Sequence, residues 1–132
     1  MDVEKSLEKS KFVVNAFDNV FNVECPLVGE FNVYNILGAI AACFSLGIGE
    51  KTIVKALKKV KAPLGRFSVI KLSENITVII DFAHTPDGME NVLKTIKGVY
   101  FEKLVCVFGC GGNRDTGKRS IMGRIAEEYS NF

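Results

Sequence analysis

A single histidine, His84, is all the chain has. A catalytic triad or a multi-histidine metal site is therefore hard to assemble from its own residues. The four cysteines, Cys25, Cys43, Cys106 and Cys110, form no CxxC pair, and three of them sit inside apolar runs. That is the pattern of reduced, mostly buried thiols in a cytoplasmic protein. Cys106 and Cys110 are four residues apart, but a strand-to-turn setting would not aim both at one metal. No second pair or neighbouring histidine completes a zinc site, so none is expected. An excess of one charge is also missing. The formal net charge of +2 is too small to imply nucleic-acid binding. No apolar run approaches the roughly 20 residues of a membrane span. Residues 1–11 are charged rather than apolar, so neither a membrane partner nor a secretory leader is expected.

What is present is enough apolar material for a core: 48% of 132 residues, about one ordinary domain. The most informative stretch is residues 104–122, LVCVFGCGGNRDTGKRSIM. It opens as a short apolar run that favours a buried strand, breaks into Gly109, Gly111 and Gly112, and crowds Arg114, Asp115, Lys118 and Arg119 into a few positions. Helical spacing follows over residues 121–129. Strand, glycine turn, charged loop and helix is how an α/β sheet presents a site at the carboxyl ends of its strands. Glycine lets backbone amides approach a ligand, and fixed cations bind carboxylate or phosphate. The plain alternative is a strand-to-helix loop with solvated charges. Two near-matches fail. Gly112 to Lys118 has P-loop spacing, but Arg119 stands where that loop needs Ser or Thr for magnesium. Gly109 to Arg114 lacks the third glycine of the dinucleotide fingerprint.

Taken in order, residues 11–18 and 20–25 read as a hairpin turning at Asp18 and Asn19. Which face of the first strand points inward is ambiguous. Asn32 reads as the cap of a helix over residues 33–46. That helix is so apolar all round that burial is expected. Residues 50–61 form a second helix, with Ile53, Val54, Leu57 and Val60 on one face and lysines on the other. Pro63 and Gly65 mark a joint. Beyond it, residues 67–72 and 76–82 form another hairpin around Ser73 to Asn75. The second strand is apolar enough to be covered on both faces. Thr85 caps, and Pro86 begins, an amphipathic helix closed by Gly98. With a strand at residues 103–108, the order is β-α-β, a right-handed crossover between parallel strands. Asp81 and the loop from Gly109 to Arg119 then fall at one sheet edge.

Four stretches in order, GEFNVYNILGAIAA, LGR, IDFAHTPDGM and VFGCGGNRDTGKRSIMGRIA, resemble the Mur ligases. These enzymes use ATP to add amino acids to the peptidoglycan precursor. The resemblance runs from about Phe12 onward. Phe82 stands where the family commonly has Tyr, and Ser120 where it commonly has Pro. The resemblance implies an α/β chain in two parts. Residues 1–63 would be the end of the central ATPase domain, strands plus two helices. Residues 64–132 would be the first half of the Rossmann-like C-terminal domain. It further implies that Asn32 and Asn35 lie near the adenine, Arg66 near the ribose and phosphates, and Asp81 on the ribose hydroxyls. His84 would have a positioning role. Arg114 would face the carboxylate of the incoming amino acid, with Gly111, Gly112, Asp115, Lys118 and Arg119 as the supporting loop. A cap and a helix polar group remain equal readings for the two asparagines. ATP and Mg2+ are implied for the parent enzyme, and none held tightly by this piece. The implied partners are UDP-MurNAc-dipeptide and an amino acid, diaminopimelate or lysine. No P-loop and no magnesium ligands are present, so the piece is expected to be inactive alone. Folylpolyglutamate or cyanophycin-type ligases share the Asp-x-Ala-His-x-Pro loop, but GCGGNRD and KRSIMG point away from them. A stand-alone nucleotide- or partner-binding module is the remaining alternative.

Overall fold

The structure, a computed structural model, describes residues 7–16, 18–99, 101–112 and 114–132. Strands β1 (Ser10–Ala16) and β2 (Asn19–Cys25) pair antiparallel, with Ser10 opposite Cys25 and Ala16 opposite Asn19. The turn therefore falls one residue earlier than expected. Asp18 takes a left-handed φ of 58° there, which short polar residues tolerate; Phe17 lies outside the described residues. Phe12, Val14, Phe21, Val23 and Cys25 face inward, which settles the facing that the alternation left open.

Helix α1 (Glu30–Ser45) lays Val33, Ile36 and Ile40 on that inner face, and α2 (Glu50–Leu57) adds Ile53 and Leu57. Truncating one such buried aliphatic costs about 2–5 kcal/mol. Two expectations need correction. Gly29, not Asn32, is the N-cap of α1. Gly29 reaches φ 97°, which turns the chain in earlier, and the Asn32 side chain donates backward to the Val28 carbonyl at 2.7 Å. Nor is α1 buried all round: Tyr34, Ala39, Ala41 and Ala42 are exposed. Its alanine side is small enough to stay wet at little cost, so only the branched face is covered. The helix ends in a Schellman turn. Ile48 N–H donates to Cys43 O at 3.0 Å and Gly47 N–H to Phe44 O at 2.9 Å, with Gly47 at φ 76°.

Past the turn at Pro63, β3 (Ser68–Lys71) and β4 (Thr77–Ile80) form a second antiparallel hairpin. Helices α3 (Pro86–Lys97) and α4 (Gly117–Tyr129) pack together through Met89, Leu93 and Met122. Thr85 caps α3 as expected, its hydroxyl accepting from Gly88 N–H at 3.2 Å, with Pro86 opening the helix. The two halves of the chain share a cluster: Val28 and Phe31 from one side meet Phe67, Ile79 and Ile96 from the other.

The strand expected at residues 103–108 is not formed: that segment joins no ladder among the described residues. Its backbone bonds instead to residues 131–132. Asn131 N–H donates to Leu104 O and Cys106 N–H to Phe132 O, both at 2.8 Å. The expected parallel pairing with β4 is therefore not formed. Nor is β4 covered on both faces, since Val78 and Ile80 are exposed, and Val107 is 92% exposed. A parallel strand is stable when flanked by strands and roofed by helices. Here α3 and α4 roof one side, and among the described residues β4 has β3 as its one strand neighbour.

Candidate functional site

The geometry centres on Asp81, at the end of β4. Its Oδ2 accepts from Phe67 N–H and its Oδ1 from Ala83 N–H, both at 2.7 Å. Asp81 thus ties the turn at residues 63–67 to the loop that follows β4. The tie has a purpose in the backbone. Gly65 and Phe67 both adopt left-handed φ, 71° and 49°. For a bulky residue such as Phe67 that is a strained setting which surrounding contacts must hold. Phe67 is buried against Phe31, ring centroids 5.8 Å apart, and its amide is fixed by Asp81. The turn is closed further by Arg66 N–H to Pro63 O at 3.1 Å and Gly65 N–H to Ser68 Oγ at 3.0 Å.

Between the two left-handed residues, Arg66 points its guanidinium over the Phe82 ring, 5.1 Å from the centroid. His84 meets the same ring, centroids 5.4 Å apart and planes at 60°. Its Nδ1 lies 3.1 Å from the Phe82 carbonyl. Lys118, in the first turn of α4, donates to the His84 carbonyl at 2.8 Å. Arg66, Asp81, His84 and Lys118 therefore share one edge of the molecule.

The rest of the loop is held by its own charges. Asp115 Oδ1 accepts from Gly117 N–H, at the start of α4, at 3.0 Å. Arg119 Nη2 donates to the Gly112 carbonyl and lies 3.4 Å from that of Gly111. A Cβ at Gly109, Gly111 or Gly112 would meet nothing within 4 Å, and none has a left-handed φ. The fold itself does not demand glycine at these positions. Arg114 stands exposed in the same loop. Asn35 donates to Asn32 Oδ1 at 3.3 Å on α1. No contact found among the described residues brings this pair to the Asp81 edge. One contributor escaped the sequence: Phe67, whose φ no residue type announces. Phe82 enters the sequence reading only where the family commonly has Tyr, and its exposure is a finding of the structure. No group of three or more His, Cys, Asp or Glu suited to a metal occurs among the described residues.

The family model for the Mur ligase glutamate ligase domain matches residues 65–132, just over half of the chain. The chain belongs to the Mur ligase family. It is 41% identical over 131 residues to a UDP-N-acetylmuramoyl-L-alanyl-D-glutamate–2,6-diaminopimelate ligase of Syntrophomonas wolfei, covering 99% of this chain and 27% of that protein. The enzyme of the same name from Lactiplantibacillus plantarum is 43% identical over 129 residues, covering 98% and 26%. Among solved structures, a UDP-N-acetylmuramoyl-L-alanyl-D-glutamate–2,6-diaminopimelate ligase superposes with a TM-score of 0.66 at 38% identity, over 98% of this chain and 26% of that one. A pseudomurein peptide ligase type C from Methanothermus fervidus gives 0.72 at 27% identity, over 96% and 28%. The chain thus spans about a quarter of the length of the Mur ligases it matches.

Proposed function

We propose that the chain is part of the ATP-dependent ligase that adds the third amino acid, diaminopimelate or lysine, to UDP-MurNAc-L-Ala-D-Glu. Residues 1–63 close the central ATP-binding domain and residues 64–132 open the C-terminal domain, a division supported by the family match beginning at residue 65. In this reaction the substrate carboxylate takes the γ-phosphoryl group of ATP to form an acyl phosphate. The amine of the incoming amino acid attacks that carbonyl and phosphate leaves. Such a ligase draws on nucleotide and UDP-sugar pools, so it works in the cytoplasm, in peptidoglycan synthesis and hence in cell shape and division. No helix of the described residues is long and apolar enough to cross a membrane.

The observation that carries this reading is the shared edge of Arg66, Asp81, His84 and Lys118. Cationic and neutral donors there suit an anionic phosphate and ribose oxygens. Asp81 retains lone pairs beyond the two that its backbone donors occupy, enough to accept from a hydroxyl. Asn32 and Asn35 both donate and accept, as an adenine edge requires. Mg2+ would supply charge neutralisation at the phosphates; none of the residues here is assigned to hold it.

Arg114 is assigned to the carboxylate of the incoming amino acid, which a planar guanidinium grips at two points where lysine offers one charge. Losing such a pair costs about 2–5 kcal/mol once it is desolvated. In the intact ligase Arg114→Ala should raise KM for the amino acid far more than KM for ATP, and Arg114→Lys should recover part of the loss. Damage to ATP binding with an unchanged amino-acid KM would move Arg114 to the nucleotide half of the site.

A further inference from the structure

Sulfur is concentrated in one place in this fold. Both internal methionines, Met89 on α3 and Met122 on α4, fall in one cluster, and Cys106 and Cys110 pack against it. Met122 is 1% exposed, and its Sδ lies 3.7 Å from Cys110 Sγ. A thiol is a weak donor and a thioether a weak acceptor, so a hydrogen bond between them contributes little. Cys110 is also the way in. Its thiol is free and half-buried, and a Cβ on the adjacent Gly109 or Gly111 would meet nothing within 4 Å. The pair is thus closed by a buried methionine on one side and open to solvent through the glycine loop on the other.

We propose that Cys110 and Met122 form a binding site for copper(I). The inference does not rest on the function proposed above. Two sulfurs bound at about 2.3 Å to one ion, at a tetrahedral angle, lie about 3.8 Å apart. The observed 3.7 Å meets that spacing with almost no rearrangement. Thiolate and thioether are soft donors, and such donors select copper(I). Zinc would draw on thiolate, imidazole and carboxylate together, and no group of three or more His, Cys, Asp or Glu suited to a metal occurs among the described residues. Charge leads to the same ion. Binding releases the thiol proton, so one thiolate and one monovalent cation sum to zero, which an apolar surrounding accepts. A divalent ion would leave a net charge there. Two sulfurs at a bent angle leave room for a third, and Met89 and Cys106 belong to the same cluster.

The test is anaerobic titration of the 132-residue chain with copper(I) in competition with bicinchoninic acid, whose colour reports the ion it holds. The wild-type chain should withdraw one copper(I) from the competitor. Met122→Leu keeps every thiol and nearly the same volume, a swap that cores tolerate. Its Kd for copper(I) should rise about tenfold or more, since even residues behind the ligands of a metal site have effects on that scale. Cys110→Ser should do the same. Cys43→Ser, whose position lies in the first cluster away from Met122, should bind as wild type does. Far-UV circular dichroism checks that each variant is folded. A further measurement needs no variant: in selenomethionine-substituted protein, X-ray absorption at the copper edge should show selenium beside sulfur in the first shell. Four results overturn the proposal. They are a wild-type chain that takes no copper from the competitor, a folded Met122→Leu with wild-type Kd, a Cys43→Ser chain weakened as much as Cys110→Ser, and a first shell without selenium.

Discussion

Replacing Asp81 by alanine removes two hydrogen bonds at once, to Phe67 N–H and to Ala83 N–H, each 2.7 Å long. A hydrogen bond to a charged acceptor contributes about 1.5–3 kcal/mol. Two fully dry ones would sum to about twice that. Asp81 is only half-buried, so the freed amides reach water and the low end applies. Release of Phe67 from its left-handed φ returns part of the loss. The net expectation is a destabilisation of about 2–3 kcal/mol. With a urea m-value of about 1–2 kcal/mol/M for a chain of this size, the unfolding midpoint should fall by roughly 1–3 M. Asp81→Asn keeps one acceptor oxygen and loses the charge, so its midpoint should lie between the two. Circular dichroism at 222 nm across a urea series measures all three. A midpoint within about 0.3 M of wild type for Asp81→Ala would show that the carboxylate does not hold the turn, and the account of how Phe67 is kept in place would fail.

Two further outcomes follow from the backbone and from the surface charges. Gly29 sits at φ 97°, and a Cβ there would lie 2.7 Å from Phe31 Cε1. Gly29→Ala should therefore destabilise by about 1–3 kcal/mol in the same urea assay; an unchanged midpoint would mean that the start of α1 tolerates another path. In acid, the Lys9 bond holds the Glu24 carboxyl below its ordinary value, and the Lys94 bond does the same for Glu90. A lowered folded-state value contributes stability above the unfolded value near 4.5, and that stability is lost as pH falls through the folded value. Glu90→Gln should flatten part of the acid slope of the melting temperature below about pH 4.5, and an identical slope would show that the pair is thermodynamically silent.

How much of this was legible depends on the range of the forces involved. Thr85 and Pro86 were read correctly because a cap and a first-turn proline act within three residues. The β1–β2 hairpin followed from alternating apolar residues, to within one residue at the turn. Asn32 misled because it is a good cap by type, while Gly29, with its access to φ 97°, set the helix start further back. The parallel pairing of residues 103–108 was not legible in this sense: whether an apolar run joins a ladder depends on which segments flank it. Residues 104–106 are bonded to residues 131–132 instead. At the candidate site, the motif singles out Arg66, Asp81 and His84 and groups Lys118 with the loop; the structure adds that all four lie at one edge. The motif says nothing of Phe67, because a left-handed phenylalanine is a product of tertiary contact and not of residue type.

Arg66 lies between Gly65 at φ 71° and Phe67 at φ 49°, so the side chain that reaches Phe82 is mounted on the turn between the two halves of the chain. A rotation about either bond would carry the guanidinium off the ring. The angle of the turn and the shape of this edge are therefore one equilibrium with two readouts. Whatever binds this edge in its present form holds the turn by RT ln(1 + [L]/Kd), about 2.7 kcal/mol at a hundredfold excess over Kd. By the same reciprocity, a contact anywhere in the protein that straightens the turn lowers affinity at the edge by an equal free energy.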